Sequence, residues 1–439
     1  MKLKGITIFL RKKWSVIFVW ILFIIGFLLR LFIILKNSTE PVDALQYMEI
    51  AEFMFGVDGT SYVFPREPFY PFLLGLVYLV TPNTFLTARI FSALLGSLAI
   101  VGIFYVTKKY AQKFSENGDS EKFGIIASLL VCLNYHFIIY DGLGVREPLF
   151  TLLLLILLYS ILIERKKIKK SIFSISAFLL ILTKSESLIL LIGISILVFH
   201  KENILKKTIS EENIIRENGN ESEENITRET RKNKLRNYLN RINYNFIFIL
   251  LGLFIGFVLW KSLSYILFSD PFATSNWMAR MYYYKEFNLV APETLTTFEY
   301  VFKYHGIKDL LQAFYSGFFG LMNRYSVIYN RYLFALFILS FIKYLIKKDY
   351  LSFFWVLYPP LFIGVLAILW GMVGYTRVIQ PYSIIGLISI PIFTYEIIDS
   401  FKLTITKKLD ININKTLFYY LIFTFICIYY IVEIIGAFV

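Results

Sequence analysis

Long apolar runs, almost free of charge, alternate along this chain with short polar patches. Runs of this kind are read as helices able to cross a hydrocarbon core of roughly 30 Å. They fall at 14–35, 86–107, 123–140, 148–163, 244–268, 331–345, 351–372, 378–397 and 417–437. The segment 172–200 is interrupted midway by Thr183-Lys184-Ser185-Glu186 and reads as a hairpin of two short helices. The run 69–80 is short and has Pro68 and Pro71 at its head, which predicts an interfacial or half-depth helix. The expectation is an all-α polytopic membrane helix bundle of about 11 spans, with juxtamembrane helices in the first outer loop.

Composition agrees with lipid as the solvent. Hydrophobic residues make up 57% of the 439, above the roughly 45–50% of soluble domains. The net charge of +14 is explained by topology, since lysine and arginine collect in cytoplasmic loops, and no nucleic-acid partner is expected. The basic clusters lie at 2–13, 108–113, 165–170, 201–241, 343–348 and 402–415. They place the N-terminus in the cytoplasm and the C-terminus outside. The basic patch before 14–35 resembles a signal peptide, but that run is longer than a signal core of roughly 7–15 residues and lacks a cleavage site, so it reads as an uncleaved first span.

The stretch 201–243 has the composition of a solvated linker. It divides the chain into an N-terminal module, 1–200, and a C-terminal module, 244–439, with an outer loop at 269–330. Cys132 and Cys427 both lie in apolar runs, so no disulfide framework is indicated. His136, His200 and His305 have no metal-ligand spacing. No cofactor is predicted, and a divalent cation stays an open alternative.

With the lysines facing inward, the outer side keeps carboxylates and isolated cations. Asp43, Tyr47 and Ala51 recur every four residues and share one helical stripe. Asp43 suits either a helix-start acid after Pro41 or a general base. Arg66-Glu67-Pro68 and Arg146-Glu147-Pro148 each set an arginine and a glutamate before a helix-starting proline. They read as caps or as the lip of a polar cavity, because charge at the bundle rim is costly unless it faces one. Asp141 belongs to the same outer set. Lys184 lies deep in an apolar segment, either paired with Glu186 or poised for a phosphate. Arg377, between Gly374 and Pro381, either snorkels to the interface or serves the same end.

In order and sidedness these pieces resemble the GT-C glycosyltransferases, a class that includes protein O-mannosyltransferases and the aminoarabinose transferases of lipid A. The resemblance rests on a first span ending in Arg30, on Asp43 and Tyr47 in the first outer loop, and on Arg66-Glu67-Pro68-Phe69-Tyr70-Pro71. It continues with Arg89-Ile90-Phe91-Ser92-Ala93-Leu94-Leu95-Gly96, the stretch Asp141 to Glu147, Leu182-Thr183-Lys184-Ser185-Glu186, and Tyr375-Thr376-Arg377-Val378-Ile379-Gln380-Pro381. Many relatives have Asp-Glu at the first acid, where this chain has Asp43-Ala44. No large outer domain follows the last apolar run, which points away from oligosaccharide transfer to sequons.

The resemblance implies inverting sugar transfer from a polyprenyl or dolichyl phosphate to a glycan, lipid or protein acceptor, on the outer face of the cell membrane. Asp43 would be the base. Lys184, Arg377, Arg66 and Arg146 would contact the donor phosphate, and Tyr47, Glu67, Asp141, Glu147 and Glu186 would bind acceptor or orient these groups. A transporter or flippase is the alternative, and predicts ionisable residues at the bilayer midplane in broken helices. A non-catalytic scaffold would tolerate changes at Asp43.

Overall fold

The computed structural model describes residues 2–37, 39–56, 65–112, 120–163, 166–185, 187–188, 190–192, 194, 252–347, 376–409 and 414–438. The expected linker 201–243 and the expected span 351–372 lie outside the described residues. All regular structure among them is helical. The N-terminal half contains α1 (Lys2–Lys36), α2 (Val42–Met54), α3 (Phe69–Tyr78), α4 (Phe85–Ala111), α5 (Ser120–Leu133), α6 (Tyr135–Asp141), α7 (Glu147–Leu162) and α8 (Lys166–Thr183). The other half contains α9 (Gly252–Phe268), α10 (Ala273–Phe287), α11 (Thr297–Lys303), α12 (Ile307–Lys347), α13 (Thr376–Leu409) and α14 (Lys415–Phe438).

Among the described residues, four helices are long and apolar enough to cross a membrane: Trp14–Lys36, Phe85–Ala111, Gln380–Asp399 and Lys415–Gly436. The pair α5 and α6, bent by 61° at Asn134, makes a fifth if taken as one broken span. The run expected to lie at half depth is α3, whose 10 residues rise only about 15 Å.

Burial sorts the spans into centre and rim. The membrane-length window of α13 is 83% buried, against 33% for α1 and 28% for α14. The exposed face of α1 carries Trp14, Ile24, Leu28 and Leu35, and that of α14 carries Leu421, Phe425, Ile428 and Val432, side chains suited to lipid. One core runs from Leu22 on α1 through α4, α5 and α7 to Tyr382 on α13 and Tyr430 on α14. Small residues on α4, Ala88, Ser92, Ala93, Gly96 and Ala99, are buried and let neighbouring helices approach closely.

Two helix breaks meet inside this core. Asn330 has φ 58° and ψ 168° and divides α12, a conformation that costs a non-glycine residue roughly 1–3 kcal/mol. Its Oδ1 accepts from the backbone N–H groups of Tyr332 and Leu333, both at 3.0 Å. In an unbroken helix those groups would donate to the carbonyls of Ile328 and Tyr329. Those two carbonyls accept instead from Asn134 Nδ2 at 2.6 Å and from the Tyr430 hydroxyl at 3.0 Å. Asn134 also donates to Tyr430 at 3.0 Å, and its Oδ1 caps α6 by accepting from His136 and Phe137. The two carbonyls and two N–H groups parted at the Asn330 break are thus each paired with a side chain, as buried backbone requires.

The segment expected to form the outer loop, 269–330, contains helices as well. Asp270 accepts from Asn276 Nδ2 at 2.9 Å, and Asn276 Oδ1 accepts from the Thr297 N–H at 2.9 Å, which ties α10 to α11. A Thr296/Glu299 capping box starts α11.

Candidate active site

The site begins at α2. Pro41 ends the extended approach and Asp43 lies in the first helical turn, where the positive end of the helix dipole favours a carboxylate. Tyr47 and Ala51, one and two turns on, are buried, so the stripe read from the sequence faces the bundle. Arg66, in the segment before α3, donates through Nη2 to Asp43 Oδ1 at 2.7 Å. It also donates through Nε and Nη2 to Gln46 Oε1 at 3.1 and 3.0 Å. Its guanidinium lies over the ring of Trp277, 5.0 Å from the centroid, which brings α10 onto the same surface.

The adjacent Glu67 turns the other way. Its Oε2 accepts from Arg146 Nη1 in a short ion pair, and its Oε1 accepts from the Ser185 N–H at 2.9 Å and the Ser185 hydroxyl at 2.7 Å. Burial alone would raise the Glu67 pKa, but Arg146 and the two Ser185 hydrogen bonds outweigh it and hold the carboxyl below the usual range. Arg146 donates also to the Thr183 carbonyl at 3.1 Å, and its guanidinium lies 5.8 Å from the Tyr47 ring. Burial pushes the Tyr47 phenol up, with Arg146 and Arg66 offsetting only part of the shift, so it is neutral at physiological pH. Glu147, buried in the first turn of α7 beside Pro148, completes the acidic set.

Lys184 follows the last residue of α8 and is 3% exposed. Its Nζ lies 5.7 Å from the ring centroids of both Phe150 on α7 and Tyr382 on α13. Asp43, Tyr47, Arg66, Glu67 and Arg146 therefore form one continuous polar cluster, drawn from α2, the approach to α3 and the start of α7, and Thr183 and Ser185, on either side of Lys184, tie the end of α8 to it. Within it the Asp43 side chain is 25% exposed and that of Glu67 0%, so Asp43 reaches the surface while Glu67 is sealed into the frame.

Asp141 stands in a separate node. Its Oδ2 accepts from Arg30 Nε and Nη2 at 2.9 and 2.7 Å, and its Oδ1 accepts from Gln380 Nε2 at 3.0 Å. The backbone of Arg377 lies in the first turn of α13, and its side chain lies outside the described residues, as does Glu186. Among the described residues, no three of His, Cys, Asp and Glu gather closely enough to hold a metal ion.

Gln46, Gln380 and Tyr382 received no role from the sequence. Gln46 lies three residues after Asp43 on the same helix, a spacing that does place two side chains on one face.

The architecture is that of a multi-spanning membrane protein with a charged cluster at one end of its helices. No protein-family model matches the chain, and no curated protein matches it in sequence. Its fold is similar to that of the archaeal oligosaccharyltransferase AglB from Archaeoglobus fulgidus, solved in complex with an inhibitory peptide and a dolichol-phosphate. The TM-score is 0.54 at 12% identity, over 98% of this chain and 56% of that one. The present chain thus spans little more than half the length of AglB, and the likeness is one of fold.

Proposed function

We propose that this protein is a membrane glycosyltransferase of the GT-C type. It moves a sugar, with inversion, from a polyprenyl or dolichyl phosphate carrier to an acceptor hydroxyl on the non-cytoplasmic face. Its topology is the one read from the lysines, with the N-terminus cytoplasmic and about 11 spans. The observation that carries this reading is Asp43: one partly exposed carboxylate in the first turn of a helix, bonded to Arg66, with the buried Arg146 beside Tyr47 one turn further on.

In the reaction Asp43 takes the proton of the acceptor hydroxyl as its oxygen attacks the anomeric carbon. The bond from that carbon to the lipid phosphate oxygen breaks, and the electron pair leaves with the phosphate. The charge that develops there calls for fixed cations, supplied by Lys184, Arg377 and Arg66. Arg146 is largely committed to Glu67, so it acts by holding the Tyr47 face of the cluster and adding positive potential. The fold similarity to a protein solved with a dolichol-phosphate supports a lipid-linked donor.

The test is transfer from a labelled polyprenyl-phosphate sugar in membranes containing the Asp43→Asn protein. Loss of a proton acceptor is expected to lower turnover roughly 10²- to 10⁴-fold at unchanged expression. Normal turnover would remove Asp43 from the base role.

A further inference from the structure

The node around Asp141 lies in the bundle interior, and the chemistry proposed above does not use it. Arg30, Asp141 and Gln380 are 0%, 1% and 0% exposed, and they come from α1, α6 and α13. A fourth helix closes the node, because a Cβ at Gly96 of α4 would lie 2.2 Å from Asp141 Oδ2. Four helices therefore converge on one carboxylate. Ion pairs at such depth contribute little net stability but fix one arrangement of the elements that hold them.

What this arrangement fixes is the start of α13. Pro381 has no N–H to donate to the carbonyl of Arg377, so the backbone ladder lacks a link in the first turn. The neighbouring Gln380 supplies another fastening, its side chain held by Asp141 Oδ1 at 3.0 Å. Two residues later, Tyr382 presents its ring 5.7 Å from Lys184 Nζ. Three residues earlier in the same turn is Arg377.

We propose that Gln380 and Arg30 are positioning residues for the donor phosphate: by gripping the two oxygens of Asp141 they set the height and rotation of α13, and with it Arg377 and the Tyr382 wall beside Lys184. This rests on the lipid-phosphate reading above and assigns Asp141 an orienting role.

The experiment uses the full-length protein in detergent, with dolichyl phosphate and undecaprenyl phosphate as probes, read by the ligand-induced rise in melting temperature. Transfer kinetics follow in parallel. Gln380→Leu is expected to melt close to wild type but to bind the lipid phosphates about tenfold more weakly, the size of one lost hydrogen bond to a charged group. Its KM for the donor should rise while its KM for the acceptor stays. The conservative variant Gln380→His keeps an N–H donor for Asp141 Oδ1, leaves the Arg30–Asp141 pair intact and should restore much of the binding, also where Gln380→Leu alone folds poorly. Weaker folding with wild-type binding, or a well-folded Gln380→His variant that still binds as weakly as Gln380→Leu, would overturn the positioning role. A wild-type protein that neither binds nor uses a lipid phosphate would instead overturn the donor reading and this inference with it.

Discussion

Gly96 offers the sharpest test of how the bundle is built. A methyl group there would meet Asp141 Oδ2 at 2.2 Å, Cγ at 2.3 Å and Cβ at 2.7 Å, where ordinary contact begins at 3.4 Å. Asp141 cannot swing aside, because Arg30 and Gln380 hold both its oxygens at 2.7–3.0 Å. Gly96→Ala must therefore push α4 from α6 or break the ion pair. Overpacking alone costs about 1–3 kcal/mol, and separating a buried pair from its partner about 3–5 kcal/mol. Because the helices will take the cheaper combination, the expected loss is about 3 kcal/mol, read as a clear fall in melting temperature in detergent. The control is the same substitution in an Arg30→Met, Asp141→Gly background, where the pair and the Asp141 Cβ are both gone and the methyl has room. There Gly96→Ala should cost under about 1 kcal/mol, as in ordinary small-residue exchanges. An equal loss in both backgrounds would mean that Asp141 is not what makes glycine necessary.

Further predictions concern the other polar contacts. Tyr430→Phe removes the donor to the Tyr329 carbonyl and is expected to cost about 1–3 kcal/mol; amide hydrogen exchange should quicken first around 328–333, and unchanged protection there would refute the account of the break. Glu67→Gln leaves Arg146 without its carboxylate and should destabilise the protein by about 3–5 kcal/mol near neutral pH. Since the folded Glu67 pKa is lowered, the wild-type advantage is full above the ordinary glutamate value of roughly 4.3 and fades as pH falls below it. Melting curves of both proteins across that range check the sign, and a gap that widens on acidification would contradict it. Trp277→Ala leaves the Arg66 hydrogen bonds in place and should alter substrate KM more than folding, measurable as unchanged melting with changed transfer.

Much of the candidate site is legible in the sequence, but its pairings are not. The stripe of Asp43 and Tyr47 follows from helical period alone, and the burial of Arg66, Glu67, Arg146 and Lys184 from their place at the ends of apolar runs. Arg66 and Glu67 look like a pair and are not one. In a non-helical approach consecutive side chains point to opposite sides, so Arg66 reaches Asp43 while Glu67 reaches Arg146, 79 residues away. Asp141 looked like a loop acid because its partners, Arg30 and Gln380, are 111 and 239 positions distant. Span counting met a similar limit: hydropathy measures length, and a break such as that at Asn330 is set by tertiary partners that no local window contains.

The matched breaks also dictate an order of assembly. Spans are inserted one after another, and each insertion favours helices whose backbone is satisfied within the segment. Asn134 finds its partners 194 and 296 residues further on, at Ile328 and Tyr430. Until Lys415–Phe438 has packed, Asn134 lacks its second partner and the Tyr329 carbonyl lacks the Tyr430 hydroxyl. The early helices therefore form a provisional bundle, and the maturation of this protein is a late, long-range event that a truncated chain has no means to complete.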